Sequence, residues 1–274
     1  MPRRTCGYGA SLIGGRAEQQ DAYACLSSKN GKNHLLVVAD GMGGHQDGTK
    51  ASETVIAVAR DLWRHHKEAP TDPHGFLETL CQDAHAQIRS LWTDEKAGPM
   101  STIAALVVTP AGAWWAHVGD TRLYALRNGR PVFRTDDHTP LTSLVLSGSL
   151  TDEERKTHPD QNKLLRALGS TAVPKVTHGK IAMTPDTGFL LCTDGFWSAI
   201  DDRELPALFE SADPQLACQT YAELATKRGG EHADNVTVAL FTKRHATAST
   251  FRTYWPIVLA ILISLTLLST LVFR

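Results

Sequence analysis

The sequence predicts an α+β fold, antiparallel sheets flanked by helices, with one apolar segment added at the C-terminus. Two features of the 274-residue chain predict the folded body. Its apolar runs are short and bounded by turn residues, and its amphipathic stretches come in pairs, not one between every two strands. A third feature is the stretch 256–273, PIVLAILISLTLLSTLVF, which carries no charge.

In chain order, the first clear buried strand is 34–39 (HLLVVA). Ala51, Val55, Val58, Ala59 and Leu62 then recur at helical spacing, and Leu77, Leu80, Ala84, Ile88 and Leu91 repeat the pattern. Strands follow at 102–108 and 113–118, and in the second Trp114 and Trp115 alternate across the strand. Thr151 with Glu154 three residues on is a capping box that opens a short helix. The runs 189–193 and 236–241 read as strands, with Cys192 a packing residue in the first. Between them, Asp213-Pro214 caps and opens a helix expected to bury Ala217, Tyr221 and Leu224.

A 42% hydrophobic, 21% charged composition excludes a disordered, collagen-like or disulfide-stapled chain. The formal charge is −1, so no global basic excess draws in nucleic acid. Without Arg252 and Arg274 of the tail, residues 1–248 hold 26 basic and 29 acidic side chains, a balance of −3. Five scattered cysteines without CxxC spacing fit reduced thiols and argue against a zinc site. The opening MPRRTCGYGASLIGG has no apolar run of signal-peptide type.

A helix of ~20 apolar residues crosses a bilayer core of ~30 Å. The tail is close to that length, and Tyr254 and Trp255 stand where an interfacial aromatic belt would. The expected plan is a folded body at 1–242, a linker at 243–253 and a transmembrane anchor at 254–274. Lys243, Arg244 and Arg252 precede the anchor and only Arg274 follows, which places the body on the cytoplasmic side of an inner membrane, single-pass. The competing reading is a buried C-terminal core helix, but such helices rarely lack a polar face.

The chemistry shows in the aspartates. Asp40, Asp120 and Asp194 each follow an apolar strand beside a small or turn-forming residue, and Asp234 precedes one. One such carboxylate is ordinarily a turn or a cap; four suggest a shared rim. Converging carboxylates need counter-charge, and no Lys/Arg run supplies it, so hard divalent cations with oxygen ligands fit best, Mg²⁺ or Mn²⁺. Gly41-Met42-Gly43-Gly44-His45 lets the backbone approach an ion or phosphate closely, or is an ordinary flexible turn into a helix.

These residues carry a resemblance. The blocks 16–21, VADGMGGH (38–45), MSTIAALVV (100–108), VGDTRLY (118–124), DDHT (136–139), HPDQNKLLRALG (158–169), LLCTDGFW (190–197) and ADNVTVAL (233–240) occur in the order found in metal-dependent serine/threonine protein phosphatases of type 2C, in their bacterial form. The resemblance covers residues 7–242. It implies a central antiparallel β-sandwich with helices on both outer faces, and hydrolysis of phosphoserine and phosphothreonine by a metal-activated water. It implies that Asp40 bridges two ions, that the Gly41 carbonyl binds one, and that Asp194 and Asp234 complete the first ion's protein ligands. Asp120 would help hold a third, weaker ion. Arg16 would clamp the substrate phosphate with its planar donors, and Asp21 would orient a water of the metal shell. The segment 141–169 would be a flap beside the site, and His138 structural.

Two departures matter. Gln20 stands where the family usually places a metal-binding glutamate; its amide oxygen can still ligate, with one charge fewer. Met42 stands where animal relatives place a histidine, leaving His45 either as the general acid or as a cap of the next helix. A competing reading of the whole is a pseudophosphatase that binds phosphoproteins and turns over poorly. A third, a phosphodiesterase or nuclease, lacks a basic groove. The expected partners are phosphoproteins, membrane lipid through the tail, and a membrane serine/threonine kinase or membrane secretion complex, because a tether raises effective concentration toward membrane partners.

Overall fold

The computed structural model describes residues 7–43, 46–66, 69–93, 98–155, 158–160 and 163–242. Two antiparallel sheets face each other. The first holds, in order, β1 (Gly7–Leu12), β11 (Val236–Phe241), β10 (Thr187–Cys192), β7 (Arg122–Arg127) and β8 (Arg130–Arg134). The second holds β2 (Asp21–Ser27), β3 (His34–Met42), β5 (Ile103–Thr109), β6 (Gly112–Val118) and β9 (Thr177–Ile181), and β4 (Met100–Ser101) pairs with the end of β3. The architecture is α+β, with helices on both outer faces.

The uninterrupted apolar runs follow from burial on two sides. In β3, Leu36 and Val38 join Leu123, Phe189, Leu191 and Phe241 between the sheets. Leu35, Val37 and Ala39 point the other way, against α1 (Gln46–His65) and α2 (Pro73–Ser90). In β11, Val236, Val238 and Leu240 pack under α6 (Leu205–Glu210) and α7 (Pro214–Gly229). Each fully buried Leu or Phe in these layers stabilises by roughly 1.5–3 kcal/mol. An exposed pair such as Lys50–Asp47 adds at most about 1 kcal/mol, so the layers hold the fold.

Helix starts follow the chain's own signals. Asp213 accepts from the N–H groups of Gln215 and Leu216, both at 3.1 Å. Thr151 and Glu154 form the expected reciprocal box, at 2.8 and 3.1 Å, opening α4 (Asp152–Arg155). Asp72 caps α2 by accepting from Gly75 N–H. Tyr221 and Leu224 are only partly buried, contrary to expectation; α7 instead buries Ala217, Cys218, Ala222 and Ala225, small residues that bring it close to its sheet. Trp115 is buried between the sheets against Phe133, and Trp114 lies half-buried under Lys180.

The strand expected to end at Ala39 runs to Met42, because Gly41 and Met42 pair with Ser101 and Met100. Strands β1, β2, β7, β8 and β9 were not anticipated. The edge strands β8 (RPVFR) and β9 (THGKI) have no apolar run to reveal them.

The compact unit is Met1–Lys243. Among the described residues no helix is long and apolar enough to cross a membrane. The linker at 243–253 and the anchor at 254–274 lie outside the described residues.

Candidate active site

Antiparallel pairing gathers the acidic residues at one end of the sandwich. Asp40 sits near the end of β3 opposite Asp21, the first residue of β2. Asp120 follows β6 and Asp194 follows β10. Asp234 precedes β11, and β11 runs antiparallel to β10, so the start of one strand lies beside the end of the other. Asp40, Asp120, Asp194 and Asp234 line one cleft of about 400 Å³ with Gly41, Gln20 and Arg16, and Leu164 and Met42 form its apolar wall. Asp21 is buried below the cleft. His45 lies outside the described residues.

The backbone around Asp40 is pinned on every side. Its N–H donates to Thr102 Oγ1 at 3.0 Å, and its carbonyl accepts from Thr102 N–H at 2.8 Å and Ser101 Oγ at 3.0 Å. Gly41 N–H donates to the Gln20 carbonyl at 2.9 Å. A Cβ on Gly41 would stand 1.9 Å from the Gly48 carbonyl oxygen, so only glycine fits between the strand and α1. Gly48 in turn lies against the Gln20 amide, where a Cβ would come within 2.6 Å.

Asn235 is a functional residue that the sequence reading missed. Its Oδ1 accepts from Gln20 N–H at 2.7 Å, and its Nδ2 donates to the Ile13 and Glu18 carbonyls at 2.8 and 3.0 Å. One buried amide thus fixes the loop that carries Arg16 and Gln20. Thr193 was missed as well: its hydroxyl donates to Asp21 Oδ2 at 2.8 Å and ties Asp21 to the residue before Asp194. Their only signal was a polar residue next to each strand-end aspartate. His138 clasps the turn before Asp120: its N–H donates to the Gly119 carbonyl at 2.7 Å, and its Nδ1 accepts from Gly119 N–H at 3.1 Å. Burial, and Arg166 nearby, push the His138 imidazole down to about 4.

The electrostatics are one-sided. Burial, then the charges of its neighbours, holds Asp40 and Asp120 well above the usual carboxylate range. Asp21 is pushed up to about 8 and Asp194 to about 7, burial again leading. Arg16 is the cation lining the cleft, and its Nη2 donates to Asp234 Oδ2 at 2.7 Å, which raises the guanidinium's own value. The arginine expected to grip phosphate therefore grips a carboxylate here. Among the described residues no three His, Cys, Asp or Glu side chains close into a ligand cluster; the carboxylates line an open cleft. The donor set still fits hard divalent cations. Among the described residues it is all oxygen, more acidic than one arginine can neutralise, with neither cysteine nor histidine lining the cleft to favour softer metals.

Comparison with known proteins agrees with this chemistry. Residues 8–228 match the family model described as protein phosphatase 2C. A serine/threonine phosphatase of Listeria welshimeri is 30% identical over 212 residues, 75% of this chain and 83% of that protein. The serine/threonine phosphatase of S. agalactiae has a solved structure 27% identical in sequence, covering 86% of this chain and 99% of its own, with a TM-score of 0.77. The catalytic domain of the phosphatase PstP, in complex with two manganese ions, is 28% identical over 85% of this chain and 96% of its own, with a TM-score of 0.71.

Proposed function

Because the chain belongs to the protein phosphatase 2C family and is a metal-dependent serine/threonine protein phosphatase using Mn²⁺ or Mg²⁺, we propose the following roles for its residues. Asp40 would bridge the two cations, the Gly41 carbonyl would bind one of them, and Asp194 and Asp234 would complete the first ion's protein ligands. Gln20 would offer an amide oxygen to the second. Asp120 would help hold a third, weaker ion. The observation that carries this reading is the convergence of Asp40, Asp120, Asp194 and Asp234 on one cleft with Arg16 as the lining cation. When bound, a divalent pair supplies positive charge for the phosphate oxygens and acidifies the water that attacks phosphorus.

The chain's own residues bind and orient. The Thr193 hydroxyl and the pairing of β2 with β3 hold the Asp21 carboxyl beside Asp40, where it would orient a water of the metal shell. Arg16 commits one nitrogen to Asp234 and is more than half exposed, so its planar fork reaches a phosphate entering the cleft. Leu164 and Met42 form an apolar side of the open acidic cleft. Hydrolysis breaks the bond from phosphorus to the Ser or Thr oxygen, and that oxygen takes up a proton. His45 either donates that proton or only caps α1; unchanged kcat on poor leaving groups in His45→Ala would remove it from the chemistry.

The apolar tail supports a further proposal, that 254–274 anchors the enzyme in the cytoplasmic membrane with its catalytic body in the cytoplasm. Lipid is then a direct partner, and a membrane serine/threonine kinase or membrane secretion complex is the natural source of phosphoprotein substrate. The deciding experiment is p-nitrophenyl phosphate hydrolysis against Mn²⁺ concentration for wild type and Asp194→Asn. The wild type should saturate, and the variant should need far more metal and stay slow. An inert wild type would leave only phosphoprotein binding.

A further inference from the structure

Among the described residues of 141–168, Leu164 lines the cleft. The C-terminal end of this segment is stitched to the sheet, with Leu168 and Ser101 exchanging N–H to carbonyl bonds at 2.8 and 3.0 Å. After the buried Leu141 at its start, its front half has no further buried apolar side chain among the described residues. The short helix α3 (Thr142–Leu146) contributes no buried residue, and Leu146 is 69% exposed. At the far end of this half Arg155 of α4 reaches inward, a guanidinium that is 6% exposed.

Arg155 enters a polar cluster already formed by the sheet. Its Nη1 donates to Asp137 Oδ2. The same carboxylate accepts from Arg122 Nε and Nη2 at 3.0 and 3.1 Å. Both guanidiniums lie over the Trp197 ring, Arg122 at 3.7 Å and Arg155 at 4.8 Å from its centroid. The Trp197 indole N–H donates to the Asp120 carbonyl at 3.0 Å. A continuous run of contacts therefore joins the segment that walls the cleft to the backbone of a carboxylate that lines its floor.

We infer that Arg155 is a positioning residue: it pins the 142–155 part of this segment to the sheet, and through Trp197 it ties the place of that part to the place of Asp120. The inference rests on the active-site reading above. Substrate protein pressing on the segment and cation held near Asp120 then favour the same arrangement, and the coupling is reciprocal. Removing the guanidinium leaves Asp137 paired with Arg122.

The test combines amide hydrogen exchange with steady-state kinetics on Arg155→Met, which keeps the apolar stem. Exchange across 142–155 should accelerate roughly tenfold while 189–192 and 236–241 stay protected. KM for a phosphothreonine peptide should rise roughly tenfold, with KM for p-nitrophenyl phosphate changing less than about twofold, because only the peptide leans on the segment. Unchanged exchange, or equal changes in both KM values, overturns the inference. If Arg155→Met loosens the whole sheet, Arg155→Lys decides: it keeps a cation at Asp137 without the stacking fork, and wild-type exchange at 142–155 in that variant overturns the role. Trp197→Phe keeps the stacked ring and loses the bond to Asp120; the Mn²⁺ concentration that half-shifts its Tm should rise, and an unmoved midpoint breaks the link to Asp120. A wild type inert on both substrates would sink the active-site reading, leaving the exchange data to judge the pin by itself.

Discussion

Gln20 has its backbone fixed by Asn235 and its amide laid against Gly48, so a carboxylate of the same length would occupy the same place. Gln20→Glu should therefore lower the Mn²⁺ concentration for half-maximal activity, by about tenfold for a gain of about 1.4 kcal/mol. An unchanged metal titration would take position 20 out of the ligand set. The same crowding sets a pH dependence. Asp21, near 8, and Asp194, near 7, have folded values above those of the unfolded chain, and Asp40 and Asp120 are raised as well. Without metal, the fold then binds more protons than the unfolded chain, and stability falls as pH rises through those values. The buried His117 and His138 imidazoles, lowered to about 3 and about 4, work the other way, but only below about 6.5 where the unfolded histidines charge. The metal-free protein should lose Tm between pH 6.5 and 8.5, and divalent metal should raise Tm most at the alkaline end. A flat metal-free profile would contradict the assigned crowding. At this scale the strand-end aspartates were legible from their neighbours. Asn235 and Thr193 were not, because their partners lie up to 222 residues away in sequence.

At the scale of elements, the strand ends position the site only if the loop between β1 and β2 is held, and Asn235 holds it. Asn235→Ala would leave the Gln20 N–H and the Ile13 and Glu18 carbonyls without that partner, at about 1–3 kcal/mol for each group that water cannot reach. The expected result is a clear loss in urea unfolding together with a raised KM, since Arg16 and Gln20 loosen together. Loss of activity at unchanged stability would instead mean that Asn235 touches substrate. Elements buried on both faces, such as β3, β5 and β11, were legible as apolar runs. So was α7, whose Asp213-Pro214 start is local chemistry. β8 and β9 lie at sheet edges with half-exposed side chains, and β1 finds its partner only at β11, more than 220 residues later. Pairing over such distances is decided by the packed sandwich, so no window of sequence contains it.

At the scale of the whole molecule, the prediction concerns the apolar tail. The proposed site residues Arg16, Gln20, Asp21, Asp40, Asp120, Asp194 and Asp234 all fall within the unit Met1–Lys243, as do the described residues of the three apolar layers that align their strands. On the proposed reading the tail serves location and not chemistry. Deleting residues 244–274 should leave kcat and KM for p-nitrophenyl phosphate within about twofold and Tm unchanged, because surface and terminal changes away from packed features cost within about 0.5 kcal/mol. The same deletion should move the protein from the membrane fraction to the soluble fraction of a lysate. It should also slow dephosphorylation of a membrane-embedded phosphoprotein far more than that of its excised cytoplasmic domain, since confinement acts only between partners on the same surface. Lost activity on the small substrate would make the tail part of the fold, and unchanged fractionation would remove the anchor.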